Sequence, residues 1–384
     1  MWKMKICYIV QKYNDEGGIE KVVRNLISKV INKHEIHIIT SDIKDVQDER
    51  IKFHMVNPRG KYWITQWIYF LVDSYFCTKK INKIENFDII HKHGASLYNA
   101  DVFTAHSVHK VALENNMHYQ QNYSKKFMYF IKTLYPLSAF IEFINLCRSK
   151  KIVAVSNGIK LEIIKNYPIN PKKLTVITNG ISCNNIQYDE IQIPGISDTD
   201  LKLIFVGKDY VRKGLMYVLD ALSKLKKDGY SDIKLLVLGE DTANSLNFKK
   251  YVLDNGLENN VFFLGHLKNI NDYYAFSDIF VFPTTYEAFS IATLEASKFG
   301  LPLLCSKTNG TEDLIIDNYN GYFIDRNAKD IASKLKHFIE NPDLISKMGL
   351  NAKNRVCSVF NWESISLKYG ELYLELSKKK SDNG

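Results

Sequence analysis

The sequence contains no CxxC pair, no G-x-G-x-x-G turn, no placed DxD-like acidic pair, no internal repeat, and no low-complexity segment beyond its lysine-rich end. No window reaches the roughly 18 uninterrupted apolar residues that a membrane-spanning helix needs. The six cysteines (Cys7, Cys77, Cys147, Cys183, Cys305 and Cys357) are scattered and form no metal-like cluster with histidine. Several lie in apolar runs such as "KICYIV" and "PLLCS", so buried free thiols in a reducing compartment are expected. The opening run "MWKMKICYIVQKY" is cut short by Gln11 and Lys12, which is too early for a secretory segment. It reads instead as a first buried strand. Two stretches are partly apolar, "YWITQWIYFLVDSYF" and "KKFMYFIKTLYPLSAFIEFINLCRSKK". Lys132, Pro136 and Glu142 interrupt the second, which is therefore not expected to span a bilayer.

A chain of 384 residues, 46% hydrophobic and 24% charged, has the profile of a soluble globular protein and is long enough for two domains. A formal charge of +9 suits an acidic partner, whether nucleic acid, an anionic membrane or a phosphorylated substrate, and equally suits a plain lysine-rich surface. Short, nearly continuous apolar runs alternate with helical stretches. "KICYIV" precedes a helix over about 19–31; "EIHIIT", "FDIIHKH", "DVFTAH", "KIVAVS" and "LTVITNG" follow. Runs of this kind mark parallel strands covered on both faces. A second series begins at "LKLIFVG", with a helix near 213–227, and continues through "IKLLVLG", "VFFLG", "DIFVFPT", "LPLLCS" and "GYFI". The pattern predicts an α/β protein with two doubly wound, Rossmann-like domains facing a cleft. The division is 1–185, a linker at 186–200, 201–358, and an amphipathic helix over 359–384 that returns towards the N-terminal domain.

In such sheets ligands bind beyond the carboxyl ends of the strands. After the first strand, Gly17 and Gly18 open a helix, either as an anion site or as an ordinary tight turn. After "LKLIFVG", Gly207 is followed by Lys208, Arg212 and Lys213, which suit a diphosphate or form a solvated basic loop. After "DIFVFPT" comes "YEAFSIATLEA", where Ser290 can cap a helix from Ile291 and Glu287 and Glu295 lie eight positions apart. Carboxylates accept hydrogen bonds from vicinal hydroxyls; the plain alternative, a buried glutamate paired with a cation, accounts for one of them better than for both. His106 ends the run "FTAH", with His91 and His93 as competitors for the same cleft. No acidic partner stands at ligand spacing from these three histidines, which weighs against a metal.

"YEAFSIATLEA" resembles the E-x7-E motif of the family 4 retaining glycosyltransferases. "GGIEK", "TAH", "VSNGI", "VITNGI", "FVGKDYVRKG", "LLVLGE", "FLGH", "SDIFVFPTTYEAF", "NGTEDLI" and "NGYFI" support it in order, over essentially the whole chain. The form "DYVRKGL" is most similar to the lipopolysaccharide core glucosyltransferase type. The resemblance implies the GT-B fold and retaining transfer of a hexose from a nucleoside diphosphate sugar, UDP-linked, to a saccharide or lipid-linked acceptor in surface polysaccharide or lipopolysaccharide synthesis. It implies that Glu295 holds the ribose hydroxyls and Glu287 the donor sugar, with the amides of Ala288, Phe289 and Ser290 near sugar and phosphate. Arg212 and Lys213 would neutralise the diphosphate, His106 would contact the sugar, and Gly17 and Gly18 would approach the phosphate. Lys208 stands where many members have arginine, so either Lys208 or Arg212 fills that position. No metal and no cofactor beyond the nucleotide sugar are expected. Glu295→Ala and Lys213→Ala are each expected to abolish transfer and leave the fold intact.

The basic, aromatic stretch 125–150 would suit a helix on an anionic bilayer or one packed on its own domain, giving a cytoplasmic enzyme with a possible peripheral site on the inner face of the plasma membrane. A catalytically silent GT-B sugar-binding or partner protein is the alternative, and Glu287, Glu295 and Lys213 argue against it. No nucleic-acid module is recognisable.

Overall fold

The computed structural model describes residues 3–14, 17–44, 48–57, 59–94, 96–119, 125–184, 186–240 and 245–381. The chain divides into two compact units. Met1–Leu113, Tyr123–Gly180 and Trp362–Gly384 form the first; Glu114–Asn122 and Ile181–Asn361 form the second.

The strands of the first unit are β1 (Lys5–Ile9), β2 (Lys12–Tyr13), β3 (Glu35–Thr40), β4 (Asp42–Ile43), β5 (Ile51–Met55), β6 (Ile89–His93), β7 (Val102–Ala105), β8 (Lys151–Ala154) and β9 (Leu174–Val176). Seven of them make one parallel sheet in the order β5-β3-β1-β6-β7-β8-β9; β2 and β4 pair separately. Its helices are α1 (Gly18–Val30), α2 (Trp63–Glu85), α4 (Lys125–Arg148) and α5 (Asn157–Asn166); α3 (His109–Tyr119) begins in it, and its residues from Glu114 are counted with the second. In α1 the buried residues Val22, Val23, Leu26, Ile27 and Val30 recur at helical spacing, so one stripe covers the sheet. Neither β5 nor the 23-residue α2 was foreseen as an element. In β5 only Ile51 is fully buried and polar residues alternate through an edge strand, which hides it from a reading tuned to continuous apolar runs. Helix α4 runs without a break through Pro136, although an interior proline removes a hydrogen bond and disfavours the helix. Among the described residues no helix is long and apolar enough to cross a membrane.

The second unit has β10 (Leu201–Val206), β11 (Ile233–Leu238), β12 (Val261–Gly265), β13 (Ile279–Phe282), β14 (Leu303–Cys305) and β15 (Gly321–Phe323). They form a parallel sheet in the order β12-β11-β10-β13-β14-β15, the arrangement of a Rossmann domain. Its helices are α6 (Tyr210–Lys213), α7 (Leu215–Lys227), α8 (Ser245–Asp254), α9 (Ile270–Phe276), α10 (Ile291–Lys298), α11 (Thr311–Leu314), α12 (Ala328–Glu340) and α13 (Asp343–Val359).

The last helix, α14 (Trp362–Ser381), belongs to the first unit and packs on α1 and β6, as its sequence pattern led us to expect. Trp362, Ile365, Tyr369, Leu372, Tyr373 and Leu376 are its buried stripe. The Tyr373 hydroxyl lies 3.1 Å from that of Tyr8 and 2.6 Å from Nδ1 of His91. Lys380 closes the far end on Asp101 at 3.0 Å.

The cysteine expectation needs correction. Cys183 and Cys357 form a disulfide, with Cα atoms 5.7 Å apart, because the segments at Ile181 and Phe360, both in the second unit, run side by side (Ile181 N to Phe360 O, 2.8 Å). Cys7 and Cys305 are buried thiols, whereas Cys77 is half-buried and Cys147 exposed. The inference of a reducing compartment from unpaired cysteines therefore lapses.

Candidate active site

Strands β10 and β13 are neighbours in the sheet although their sequences are far apart, and the sheet's order reverses between them. The loops leaving their carboxyl ends are consequently side by side, at the topological switch point where open α/β sheets bind ligands. After β10 the chain turns at Asp209, whose φ is +62° and whose side chain caps α6 by accepting from Arg212 N. Gly214 ends that turn with φ +80°, and a Cβ there would strike the carbonyl oxygen of Pro283. Only glycine lets the first loop close on the second. Thr285 ties the two together, its N–H and its hydroxyl each donating to the carbonyl of Arg212 at 3.0 Å.

This junction brings Arg212 and Lys213 to Glu287. The Lys213 ammonium pairs with Oε1 of Glu287, and Nη1 of Arg212 lies 3.5 Å from the same oxygen while donating to the Tyr286 carbonyl at 2.8 Å. Thr284 donates its hydroxyl to Oε1 at 3.0 Å. Lys213 and Glu287 side chains are only 11% and 12% exposed, so the pair is largely dry. Burial favours the neutral carboxyl of Glu287, but the two facing cations outweigh it and hold the group below the usual carboxylate range. Burial pulls Lys213 below its ordinary range, and Glu287 opposes that pull. Every described contact of Glu287 falls on Oε1, which leaves Oε2 to accept from something else. The plain alternative of a cation-paired glutamate thus holds for Glu287, without consuming the whole carboxylate.

The helix after β13 is built as the sequence led us to expect. Ser290 caps α10, its hydroxyl accepting from Thr293 N at 3.2 Å, and Ala288 and Phe289 precede it. Gly310, at φ +81°, packs its Cα against the backbone of Phe289, where a Cβ would have no room. Glu295 lies one turn into α10 and takes a hydrogen bond from the Tyr274 hydroxyl at 3.1 Å. Lys208 is exposed and next to Gly207; no ion pair of Lys208 occurs among the described residues. Of the basic trio, the fold therefore gathers Arg212 and Lys213 around Glu287 and sets Lys208 apart.

In the first unit the order also reverses between β1 and β6. Gly17 is the N-cap of α1 and Gly18 its first residue. The Glu20 carboxylate folds back over Gly17, while the space beside Gly18 is open. His106 follows β7, with Nε2 3.0 Å from Nδ1 of His93, and helps line a cavity of about 60 Å³ with Ile19, Gly94 and Ser107. Burial pushes its imidazole down to about 4.

A family model described as Glycosyl transferases group 1 matches residues 187–355, and one described as Glycosyltransferase Family 4 matches residues 16–185. The chain is a glycosyltransferase, whose second half matches the one model and whose first half matches the other. This glycosyltransferase is 27% identical over 270 residues to the capsular polysaccharide biosynthesis glycosyltransferase CapM of Staphylococcus aureus, covering 66% of this chain and 69% of that one. It is 24% identical over 320 residues to the UDP-Gal:alpha-D-GlcNAc-diphosphoundecaprenol alpha-1,3-galactosyltransferase of Escherichia coli, covering 78% and 79%. The crystal structure of WaaG, a glycosyltransferase involved in lipopolysaccharide biosynthesis, superposes with a TM-score of 0.75 at 21% identity over 96% of this chain and 99% of that one. At that identity the likeness establishes the fold, which is GT-B.

Sequence reasoning missed three supports of the glycosyltransferase site: Asp209, Thr284 and Tyr274. Asp209 carried a legible signal, an acidic residue just ahead of a short helix. Thr284 and Tyr274 carried none, because what they touch is decided by the packing of distant segments. Glu35, His37 and Glu85 bring possible ligand atoms within 4.8 Å of one another, but Lys52 (2.7 Å) and Lys5 (2.9 Å) neutralise the two carboxylates. Of the proposed membrane stretch 125–150, the side chains at 125–135, Lys125, Lys126, Phe127, Tyr129, Phe130 and Lys132 among them, lie outside the described residues.

Proposed function

We propose that this glycosyltransferase moves a hexose from a UDP-sugar to a hydroxyl of a saccharide or lipid-linked acceptor in surface polysaccharide or lipopolysaccharide synthesis, with retention at the anomeric carbon. The observation that carries the reading is the Arg212–Lys213–Glu287 cluster at the switch point of the second unit, beside the N-terminus of α10. Two fixed cations in a low-dielectric setting stabilise the negative charge that grows on a departing diphosphate, and they need no reorganisation to do so. The amides of Ala288, Phe289 and Ser290 add donors for phosphate and sugar oxygens. Oε2 of Glu287 accepts from a sugar hydroxyl while Oε1 keeps Lys213 in place. Glu295 accepts from the ribose hydroxyls, and His106 contacts the sugar. The leaving phosphate takes the acceptor's proton in a front-face displacement, with no covalent enzyme intermediate. The Escherichia coli relative, a UDP-Gal-dependent galactosyltransferase, supports a UDP-linked donor.

A thermal-shift panel of UDP, GDP, ADP and their sugars tests the donor. UDP and one UDP-hexose should raise Tm, and a response confined to GDP or ADP would overturn that assignment. Proton NMR of the product's anomeric signal then decides retention.

A further inference from the structure

Three imidazoles line up under the carboxyl ends of β6 and β7. His91 and His93, two apart on β6, point to the same face, with ring centroids 4.1 Å apart. His91 is satisfied at both nitrogens: Nδ1 lies 2.6 Å from the Tyr373 hydroxyl and Nε2 lies 2.7 Å from the Thr104 hydroxyl. His93 is 3% exposed, and its Nδ1 is 3.0 Å from Nε2 of His106. The remaining nitrogen of His93, Nε2, is buried and meets no hydrogen-bond partner among the described residues.

That orphan nitrogen constrains where the protons are. The two rings share one proton across the 3.0 Å contact, and each is neutral because burial opposes charge on both. If His106 donated from Nε2, His93 would carry its own proton on Nε2, a buried N–H with nothing to receive it. If His93 donates from Nδ1, its Nε2 is a bare lone pair. A buried donor without an acceptor is the rarer and costlier defect. We infer that His93 is a positioning residue that fixes the tautomer of His106: His93 Nδ1–H donates to His106 Nε2, so His106 bears its proton on Nδ1.

The consequence for the reaction rests on the proposed function. A His106 held in this state presents an N–H donor along its open edge and has no free basic nitrogen there. It hydrogen-bonds an oxygen of the donor sugar and does not deprotonate the acceptor, a task that falls to the leaving phosphate. Tyr8 stacks beside His93, with ring centroids 6.1 Å apart.

The test is imidazole NMR of the whole protein labelled with ¹⁵N-histidine, with His106 assigned by comparison with His106→Gln. In the unaltered chain the His106 Nδ1 should carry the proton and Nε2 should be bare; a proton on Nε2 would overturn the inference without any variant. His93→Asn, whose amide N–H can stand where Nδ1–H was, should keep this state. His93→Leu should release it to a mixture of tautomers, and an unchanged His106 there would count against the idea. In transfer assays with the UDP-hexose found above, His93→Leu should lose about tenfold in kcat, roughly the worth of one hydrogen bond. His93→Asn should recover most of that loss, and equal losses in the two would overturn the positioning role. Should no transfer be found with any donor, the NMR result still stands alone, so the tautomer and the proposed activity fail separately.

Discussion

Lys213 and Glu287 show how one contact serves two ends. Replacing Lys213 by alanine leaves a buried carboxylate facing only Arg212, and breaking a buried pair in this way costs about 3–5 kcal/mol. The expectation of an intact fold is therefore revised: Lys213→Ala should lower Tm as well as cut transfer by about 10²–10³-fold. Pairing Lys213→Met with Glu287→Leu removes both charges and should return Tm close to its starting value while transfer stays lost. A double variant that regained activity would show that the pair is structural only. Glu295→Ala, by contrast, leaves the Arg212–Lys213–Glu287 cluster whole and removes the carboxylate that accepts from the Tyr274 hydroxyl. It should weaken UDP binding in a titration while changing Tm by little. Residues of this kind were legible in the sequence because charge among small apolar side chains needs a reason. Thr284 and Tyr274 were not, since a hydroxyl in a β-rich or helical run has too many ordinary explanations.

The elements set these residues in place through two tight approaches. Gly214 adopts a left-handed φ against the carbonyl of Pro283. Gly214→Ala adds a Cβ where neither the backbone angle nor the space admits one, at a cost of at least about 1–2 kcal/mol. Because α6 would shift away from β13, we expect Tm and UDP affinity to fall together; a normal affinity with lowered Tm would separate the turn from the site. Strands covered on both faces were easy to locate, as was α10 with its serine cap, because their apolar runs and cap residues act locally. The edge strand β5 and helix α2 escaped notice for the opposite reason. Helix α2 exposes Ile68, Tyr69, Val72 and Phe76 on its outer side, which blurs the stripe that marks an amphipathic helix.

At the scale of the whole molecule, acid should act unevenly. His91, His93 and His106 are held neutral by burial in the first unit, along with His34, His37 and His54, which burial also pushes down. A base whose folded pKa lies below its unfolded value binds protons first in the unfolded chain, so stability is complete above about 6.5 and falls as pH drops below it. For His106 the loss runs down to about 4, where the folded ring itself protonates. Until the folded ring itself protonates, the slope approaches about 1.4 kcal/mol per pH unit for each of the fully buried imidazoles, His91, His93 and His106. Calorimetry between pH 7.5 and 4.5 should show the transition of the first unit moving down well ahead of that of the second; two transitions that shift in parallel would mean the imidazoles are not buried neutral. The returning helix α14 carries a different implication, one of timing at the ribosome. Its aromatic stripe completes the wall behind β1 and β6, yet it follows Ile181–Asn361 in the chain. The first unit's sheet must therefore wait, its wall unfinished, until that long stretch of the second unit has been synthesised.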